Sequence, residues 1–193
     1  MIETEITNIH WPYYLAFEED IEKISRYIDF DKSNYCTHSI ELARILLAAS
    51  SETDVLLKEL CMLIDSSKNP QRIDQYREIL AANNISLNSH GVESSKYGLK
   101  LNPWSNWEKD INPEWWWAYN RVKHERSNFF HLANLKNTLN SVAALLVVNI
   151  QYDSHMLQIE NQNYKYELRD VINHLNPRSE LFRIDDPWAY FRD

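Results

Sequence analysis

Glycine is nearly absent from this 193-residue chain, which contains only Gly91 and Gly98. The phosphate-binding loops of ATPases and Rossmann-fold dehydrogenases need several glycines at fixed spacing, and neither pattern occurs in the sequence. Both classes of enzyme are therefore disfavoured. The same scarcity removes the usual hairpin turns, which often need glycine at positive φ, and so disfavours a fold built from β-hairpins.

Cysteine and long apolar runs are also scarce. Cys36 and Cys61 are the only cysteines, and their helix-like surroundings predict reduced thiols that pack as small core residues rather than a disulfide framework. Residues 1–5 are acidic and lack the basic and apolar regions of a secretory signal. No apolar run approaches the length of a membrane span. We therefore expect a cytoplasmic protein without a membrane partner.

Positive charge is in the minority, with 20 lysines and arginines against 28 aspartates and glutamates, a net charge of -8. This balance argues against a broad surface that coats nucleic acid, because such binding uses many basic contacts to phosphates. A small local basic site stays open. The 44% hydrophobic and 25% charged fractions are typical of a folded protein, and the length favours one domain.

Apolar residues recur at spacings of three and four along most of the chain, which predicts an all-α fold, a helical bundle of about five to seven helices. Helices are expected over residues 13–27, from Thr37 or Ser39 onward, after Ser51, after Asn69-Pro70, after Asn112-Pro113 and over about residues 129–152. The last of these is apolar on every side from residue 142 to residue 148, so it should be the central buried helix.

Two regions depart from the helical pattern. At about residues 83–103 serine, asparagine and both glycines cluster, and Tyr97, Leu99 and Leu101 alternate as in a short strand. Beyond residue 153 the chain is polar, with one amphipathic stretch. We therefore divide the chain into a helical bundle, residues 1–153, and a C-terminal extension, residues 154–193, packed on the same domain.

Three consecutive tryptophans, Trp115-Trp116-Trp117, open the helix that follows Asn112-Pro113. We interpret them as core packing, because large aromatic side chains dominate buried contacts. The alternative is a stacking platform for nucleic-acid bases.

A local concentration of positive charge lies between the tryptophan helix and the central helix. Arg121, Lys123 and Arg126 outweigh Glu125 in this segment. His124 and His131 add positive charge at mildly acidic pH. The segment is therefore the best candidate in this acidic chain for a site that binds an anion.

If Asn128 caps the central helix, His131 lies in its first turn, where free amides and the helix dipole favour a bound anion and oppose protonation of the imidazole. A neutral His131 can act as a general base, and Arg126 can bind a phosphate through two hydrogen bonds. Residues five apart on an unbroken helix point about 140° apart. The pair converges more easily if the helix breaks at Ser127-Asn128, since both residue types favour caps.

The segment Arg126-Ser127-Asn128-Phe129-Phe130-His131 resembles the motif of HEPN ribonucleases, which is an arginine, a polar residue, three further residues and a histidine. Flanking residues are also similar to HEPN-like bacterial proteins, namely Trp116-Trp117, Tyr119-Asn120, Val122-Lys123-His124 and Ala133-Asn134-Leu135. The stretch from Ser39 to Lys58 is similar to their earlier helices. The likeness covers about residues 11–153.

The resemblance implies a metal-independent endoribonuclease, a toxin or phage-defence effector, whose site forms where two copies of the chain meet. It implies that the 2′-hydroxyl of RNA attacks the adjacent phosphate, with His131 in proton transfer and Arg126 on the phosphate. RNA, a second copy of the chain and an antitoxin are the expected partners, and no cofactor is expected. Residues expected near the substrate are Ser127, Asn128, Lys123 and His124.

Other interpretations stay open. The resemblance extends to non-catalytic HEPN-like domains that bind a nucleotide, RNA or a protein partner, and Ser127 stands where Asn or Asp is more typical of active members. Arg126 can instead pair with Glu125, Glu114 or another acid, and His131 with a neighbouring carbonyl. A metal site is not expected, because the zinc pattern that His124-Glu125 begins lacks its second histidine.

Overall fold

A computed structural model describes residues 8–186 of the chain. Seven α-helices occur in this part: α1 (His10–Ile24), α2 (Ile40–Ile64), α3 (Ile73–Ala82), α4 (Glu114–His124), α5 (Arg126–Phe129), α6 (Leu135–Glu160) and α7 (Leu168–His174). Three short strands, β1 (Val92–Ser94), β2 (Leu99–Leu101) and β3 (Arg183–Ile184), complete the fold. The mostly helical fold with a short-strand excursion is confirmed. The predicted lack of a secretory signal concerns residues 1–5, outside the described part.

Helix α2 begins where the sequence predicts and then continues past a predicted break. Ser39 caps it by accepting a hydrogen bond from the backbone N–H of Leu42. The expected new helix after Ser51 is wrong, because α2 is one helix of 25 residues. Its buried face runs unbroken through this point and makes the most extensive helix-to-helix contact of the described chain, with α6. Packing along that face outweighs the local capping signal of an exposed serine.

Three other helix starts can be compared with the local sequence signals that predict them. Helix α4 begins directly after Pro113, as predicted. Helix α1 begins at His10 rather than Tyr13 and ends at Ile24, since proline is tolerated in a first helical turn and Pro12 does not delay the start. Helix α3 begins at Ile73, three residues later than Pro70 predicts.

Helix α6 is the central element, as expected, although its start differs. Residues 142–148 are each at most 2% exposed. The helix runs from Leu135 to Glu160, so it both starts and ends later than the expected residues 129–152, and it is capped by Asn134 rather than Asn128. No helix within residues 8–186 has both the length and the apolar character that crossing a membrane requires.

The small sheet joins the excursion to the C-terminal extension. β1 pairs antiparallel with β2, so that Val92 lies opposite Leu101. Leu99 and Leu101 lie in β2, as their alternation predicts, but Tyr97 lies in the turn before it. On its other edge β1 pairs antiparallel with β3. Gly98 precedes β2 with a φ of 62°, a conformation that favours glycine.

The two cysteines lie in different surroundings. Cys61 is buried in α2, and burial raises the pKa of its thiol to about 12. Cys36 is exposed, so its predicted place in the core is wrong. The reason is local, since residues 35–38 lie between a 3-10 turn and α2 rather than within a helix.

The extension is held to α1 and α6 by specific hydrogen bonds. The indole N–H of Trp11 donates to the carbonyl of Pro177 at 2.8 Å. The buried carboxylate of Glu18 accepts hydrogen bonds from several groups of residues 179–182. His174, at the end of α7, bonds through Nδ1 to Oδ2 of Asp153 in α6 at 2.8 Å. Burial raises the pKa of the Asp153 carboxyl, and the bond from His174 lowers it in part.

Replacing His174 by alanine should make stability more sensitive to pH. A carboxyl whose pKa is higher in the folded than in the unfolded chain costs stability as pH rises through the two values. His174→Ala removes the contribution that lowers the pKa of Asp153. The unfolding free energy should then fall from about pH 4 to pH 7 by about 1–3 kcal/mol more than in the wild type, the cost of an unpaired buried acceptor.

Urea unfolding at both pH values measures this effect. His124→Ala is the matched control, because His124 is exposed and its ring bonds no other residue in the described part of the chain. Identical pH dependence in His174→Ala and the wild type would contradict the prediction.

Candidate functional site

The segment between α4 and α6 folds back along α4 in two short turns. Glu125 ends α4 with φ -136° and ψ 42°. Helix α5 makes a single turn, and a 3-10 turn, Phe130–Leu132, follows. Phe130 and Leu132 pack against a small apolar cluster formed by α2, α4 and Ala133. The inner side of the segment is therefore anchored, and its polar side chains face outward.

The predicted break at Ser127-Asn128 is misplaced. Both residues lie within α5, and the irregular backbone occurs at Glu125 and at Phe129, whose φ is -120° and ψ 17°. Phe129 lies between Arg126 and His131 in the chain. The two residues are therefore not on one uninterrupted helix, and the 140° separation expected for such a helix does not apply to them.

His131 does not lie in the first turn of α6, contrary to expectation. It belongs to the 3-10 turn that precedes Asn134. The first amides of α6 are already bonded: those of Leu135 and Lys136 donate to the carbonyls of Thr37 and Tyr35, and the Asn134 side chain accepts from the next amide. These bonds fix the start of the helix, and they leave no anion site at its first turn.

Arg126 and His131 are both exposed. Within residues 8–186, neither side chain forms a hydrogen bond or an ion pair. The carboxylates that a structural role for Arg126 invokes have other partners, since Glu125 pairs with Arg121 and Glu114 pairs with Lys136. Both candidate catalytic side chains are therefore free to meet a ligand.

The predicted substrate-binding residues lie on the same stretch of surface. His124, Ser127 and Asn128 are exposed. Lys123 is exposed too, but its ammonium donates to the Tyr119 hydroxyl at 3.1 Å and lies 5.2 Å from the centre of that ring. Lys123 must give up its contacts with Tyr119 to reach a substrate. Binding a substrate through Lys123 is therefore less favourable than binding it through the exposed neighbours that have no such contact.

Beside these residues lies a group that the sequence did not predict to come together, here called the aromatic strip and consisting of Trp117, Arg121 and Phe129. Core packing describes Trp115 and Trp116, which are 2% and 8% exposed, but Trp117 is 48% exposed. The Arg121 guanidinium lies 5.6 Å from the Trp117 ring centre and 5.1 Å from that of Phe129. Trp117 and Arg121 are four residues apart on a helix, a spacing that could have revealed their contact.

The imidazole of His38, which lies far away in the sequence, also approaches the segment between α4 and α6. The exposed ring of His38 packs edge-on against Phe130, with ring centres 5.6 Å apart. Its backbone forms a bridge with that of Asn134. No sequence signal links His38 to a residue so distant in the chain. Among the described residues, no group of three or more histidine, cysteine or acidic side chains could hold a metal ion.

No family model, no curated protein and no solved structure matches this chain. The likeness to HEPN proteins therefore rests only on the motif from Arg126 to His131 and on the similar residues around it and earlier in the chain.

Proposed function

We propose that this chain is a HEPN-type endoribonuclease of the cytoplasm, a toxin or phage-defence effector, in which Arg126 and His131 act on RNA without a metal ion. The supporting observation is that both side chains are exposed and unpaired in the described chain, while Glu125 and Glu114 are held by other cations. An arginine and a histidine kept free in an acidic protein are suited to a phosphate.

The proposed reaction is a transfer of the phosphate within the RNA strand. His131, as neutral imidazole, takes the proton of a ribose 2′-hydroxyl, whose oxygen forms a bond to the adjacent phosphorus. The bond from phosphorus to the 5′ oxygen of the next nucleotide breaks, and that oxygen takes a proton from water. The imidazolium then returns its proton to solvent. Arg126 donates to the phosphate oxygens on which negative charge increases.

We propose further that the active form is a homodimer with a composite site. The candidate side chains lie on the open surface of a single chain, and a second copy would supply the opposite wall that excludes water from the reaction. An antitoxin partner would inhibit the enzyme by covering the same surface.

Light scattering tests the dimer at the protein concentration of the cleavage assay. We expect twice the mass of one chain. A monomer that is active at that concentration would rule out the composite site.

The alternative is a non-catalytic HEPN-like domain that binds a nucleotide, RNA or a protein partner. It is favoured by the surroundings of His131, whose ring nitrogens bond nothing within residues 8–186. A catalytic imidazole is usually oriented by a partner that fixes its tautomer. Ser127, in the position where active members more typically carry Asn or Asp, points the same way.

Incubation of purified protein with RNA in EDTA separates the two. The ribonuclease proposal requires cleavage by the wild type and its loss in Arg126→Ala and His131→Ala. The alternative requires that RNA is not cleaved, whether or not it is bound. Absence of cleavage, or equal cleavage by wild type and both variants, would remove the ribonuclease proposal for this site.

A further inference from the structure

We infer that the aromatic strip, Trp117, Arg121 and Phe129, is a stacking site for an unpaired base of single-stranded RNA. The inference rests on the proposed function, since it names the form of RNA that the site at Arg126 and His131 receives. Trp117 and Arg121 lie outside the motif that carries the catalytic proposal, and Phe129 occupies one of its variable positions.

The geometry of the strip suits a flat ligand. The rings of Trp117 and Phe129 meet edge to face, 6.2 Å apart and inclined by 77°. The Arg121 guanidinium lies over both rings. Aromatic faces and guanidinium planes are the groups on which proteins stack splayed bases. Trp117 is half exposed although its two tryptophan neighbours are buried, so a large aromatic surface is left open to a ligand.

The strip is also held in place before any ligand arrives. Arg121 pairs with Glu125, the residue that ends α4, and Phe129 is fixed by the short turns on both of its sides. Ordering a long side chain on binding costs conformational entropy, and a prearranged arginine avoids part of this cost. The Glu125 carboxylate balances the charge of Arg121, so phosphates are left to Arg126, and to Lys123 once it leaves Tyr119.

The aromatic strip lies close to a candidate catalytic residue. The ring of His131 lies 6.4 Å from that of Phe129, centre to centre. A base stacked on Phe129 therefore brings its own sugar and phosphate next to His131. Bases inside a duplex are already stacked and paired, so the strip can bind only unpaired, unstacked bases. Single-stranded RNA is the occupant that matches both the rings and the charge.

Fluorescence anisotropy with labelled, uncleavable 2′-O-methyl strands measures binding separately from cleavage. Three probes are needed: a short single strand, the same strand with abasic residues, and the corresponding duplex. Trp117→Ala should weaken binding of the intact single strand by about tenfold, within the range that one stacked base contributes. Trp117→Phe, which keeps an aromatic face, should lose much less. Arg121→Lys keeps the charge but removes the guanidinium plane, and should weaken binding as well.

The abasic strand and the duplex decide whether stacking is the cause. The abasic strand should bind weakly to the wild type, and Trp117→Ala should not weaken it further. Equal losses on intact and abasic strands, duplex binding as tight as single-strand binding, or no binding of any probe would overturn the inference. So would loss of the dimer in Trp117→Ala, because Trp117 would then be an interface residue.

The two proposals fail in different ways. Trp117-dependent binding of single strands without cleavage of ordinary RNA would keep the stacking site and remove the catalytic proposal. Cleavage that depends on His131 but not on Trp117, with unchanged binding, would do the reverse.

Discussion

Replacing His131 by alanine is expected to lower the rate of RNA cleavage by about two to four orders of magnitude, the typical contribution of a general base. Arg126→Ala should lower it by about two to three orders, the usual effect of losing one donor to the charge of a transition state. Both effects should appear in the rate of a single turnover at saturating enzyme, since the proposed roles lie in the chemical step rather than in RNA binding.

Stability separates this effect from unfolding. Both side chains are exposed and unpaired within residues 8–186, so the variants should unfold within about 0.5 kcal/mol of the wild type. Arg126→Lys keeps the charge but not the two-pronged geometry, and should recover only part of the lost activity. Arg72→Ala, an exposed arginine at the start of α3, is the matched control and should cleave normally. Unchanged cleavage in both His131→Ala and Arg126→Ala would contradict the assignment.

The sequence predicted well those elements whose signals lie close together in the chain. Ser39 bonds an amide three residues on, Pro113 sets the start of the next helix, and the continuous apolar run of α6 requires burial on all sides. Each signal is contained within one or two helical turns. Ser51 carries a similar local signal, and it failed because the face of α2 that packs on α6 is buried on both sides of it.

The start of α6 could not be predicted in this way, and with it the setting of His131. The amides of Leu135 and Lys136, which begin the helix, donate to the carbonyls of Thr37 and Tyr35, far earlier in the chain. A local reading favoured Asn128, because asparagine before an apolar run is a normal cap. The spacing of Arg126 and His131 is visible in the sequence. The conformation of the segment between them depends on this distant contact and could not be predicted.

The aromatic strip combines one contact that is local in the chain with one that is not. Trp117 and Arg121 contact each other within α4, four residues apart, and are local. Phe129 joins them only because the chain reverses at Glu125. The interpretation of all three tryptophans as core packing is wrong for Trp117, because consecutive residues of a helix point about 100° apart and cannot all face the core.

Helical periodicity gives no sign that Glu18 is buried, and its loss should have the largest effect on stability. This residue of α1 is 6% exposed. It accepts hydrogen bonds from the Tyr14 and Ser179 hydroxyls and from the backbone amides of Glu180 and Phe182, the last at 3.0 Å. One acidic side chain thus holds the extension against the first helix.

Glu18→Ala should lower the unfolding free energy by about 3 kcal/mol or more, because each donor left without an acceptor in a buried place costs about 1–3 kcal/mol. Urea unfolding measures the loss. Glu19→Ala is the matched control, since this neighbour is exposed and should change stability by no more than about 0.5 kcal/mol. Glu18→Gln keeps an acceptor without the charge and should fall between the two. Equal stability of Glu18→Ala and Glu19→Ala would mean that α1 does not hold the extension through this carboxylate.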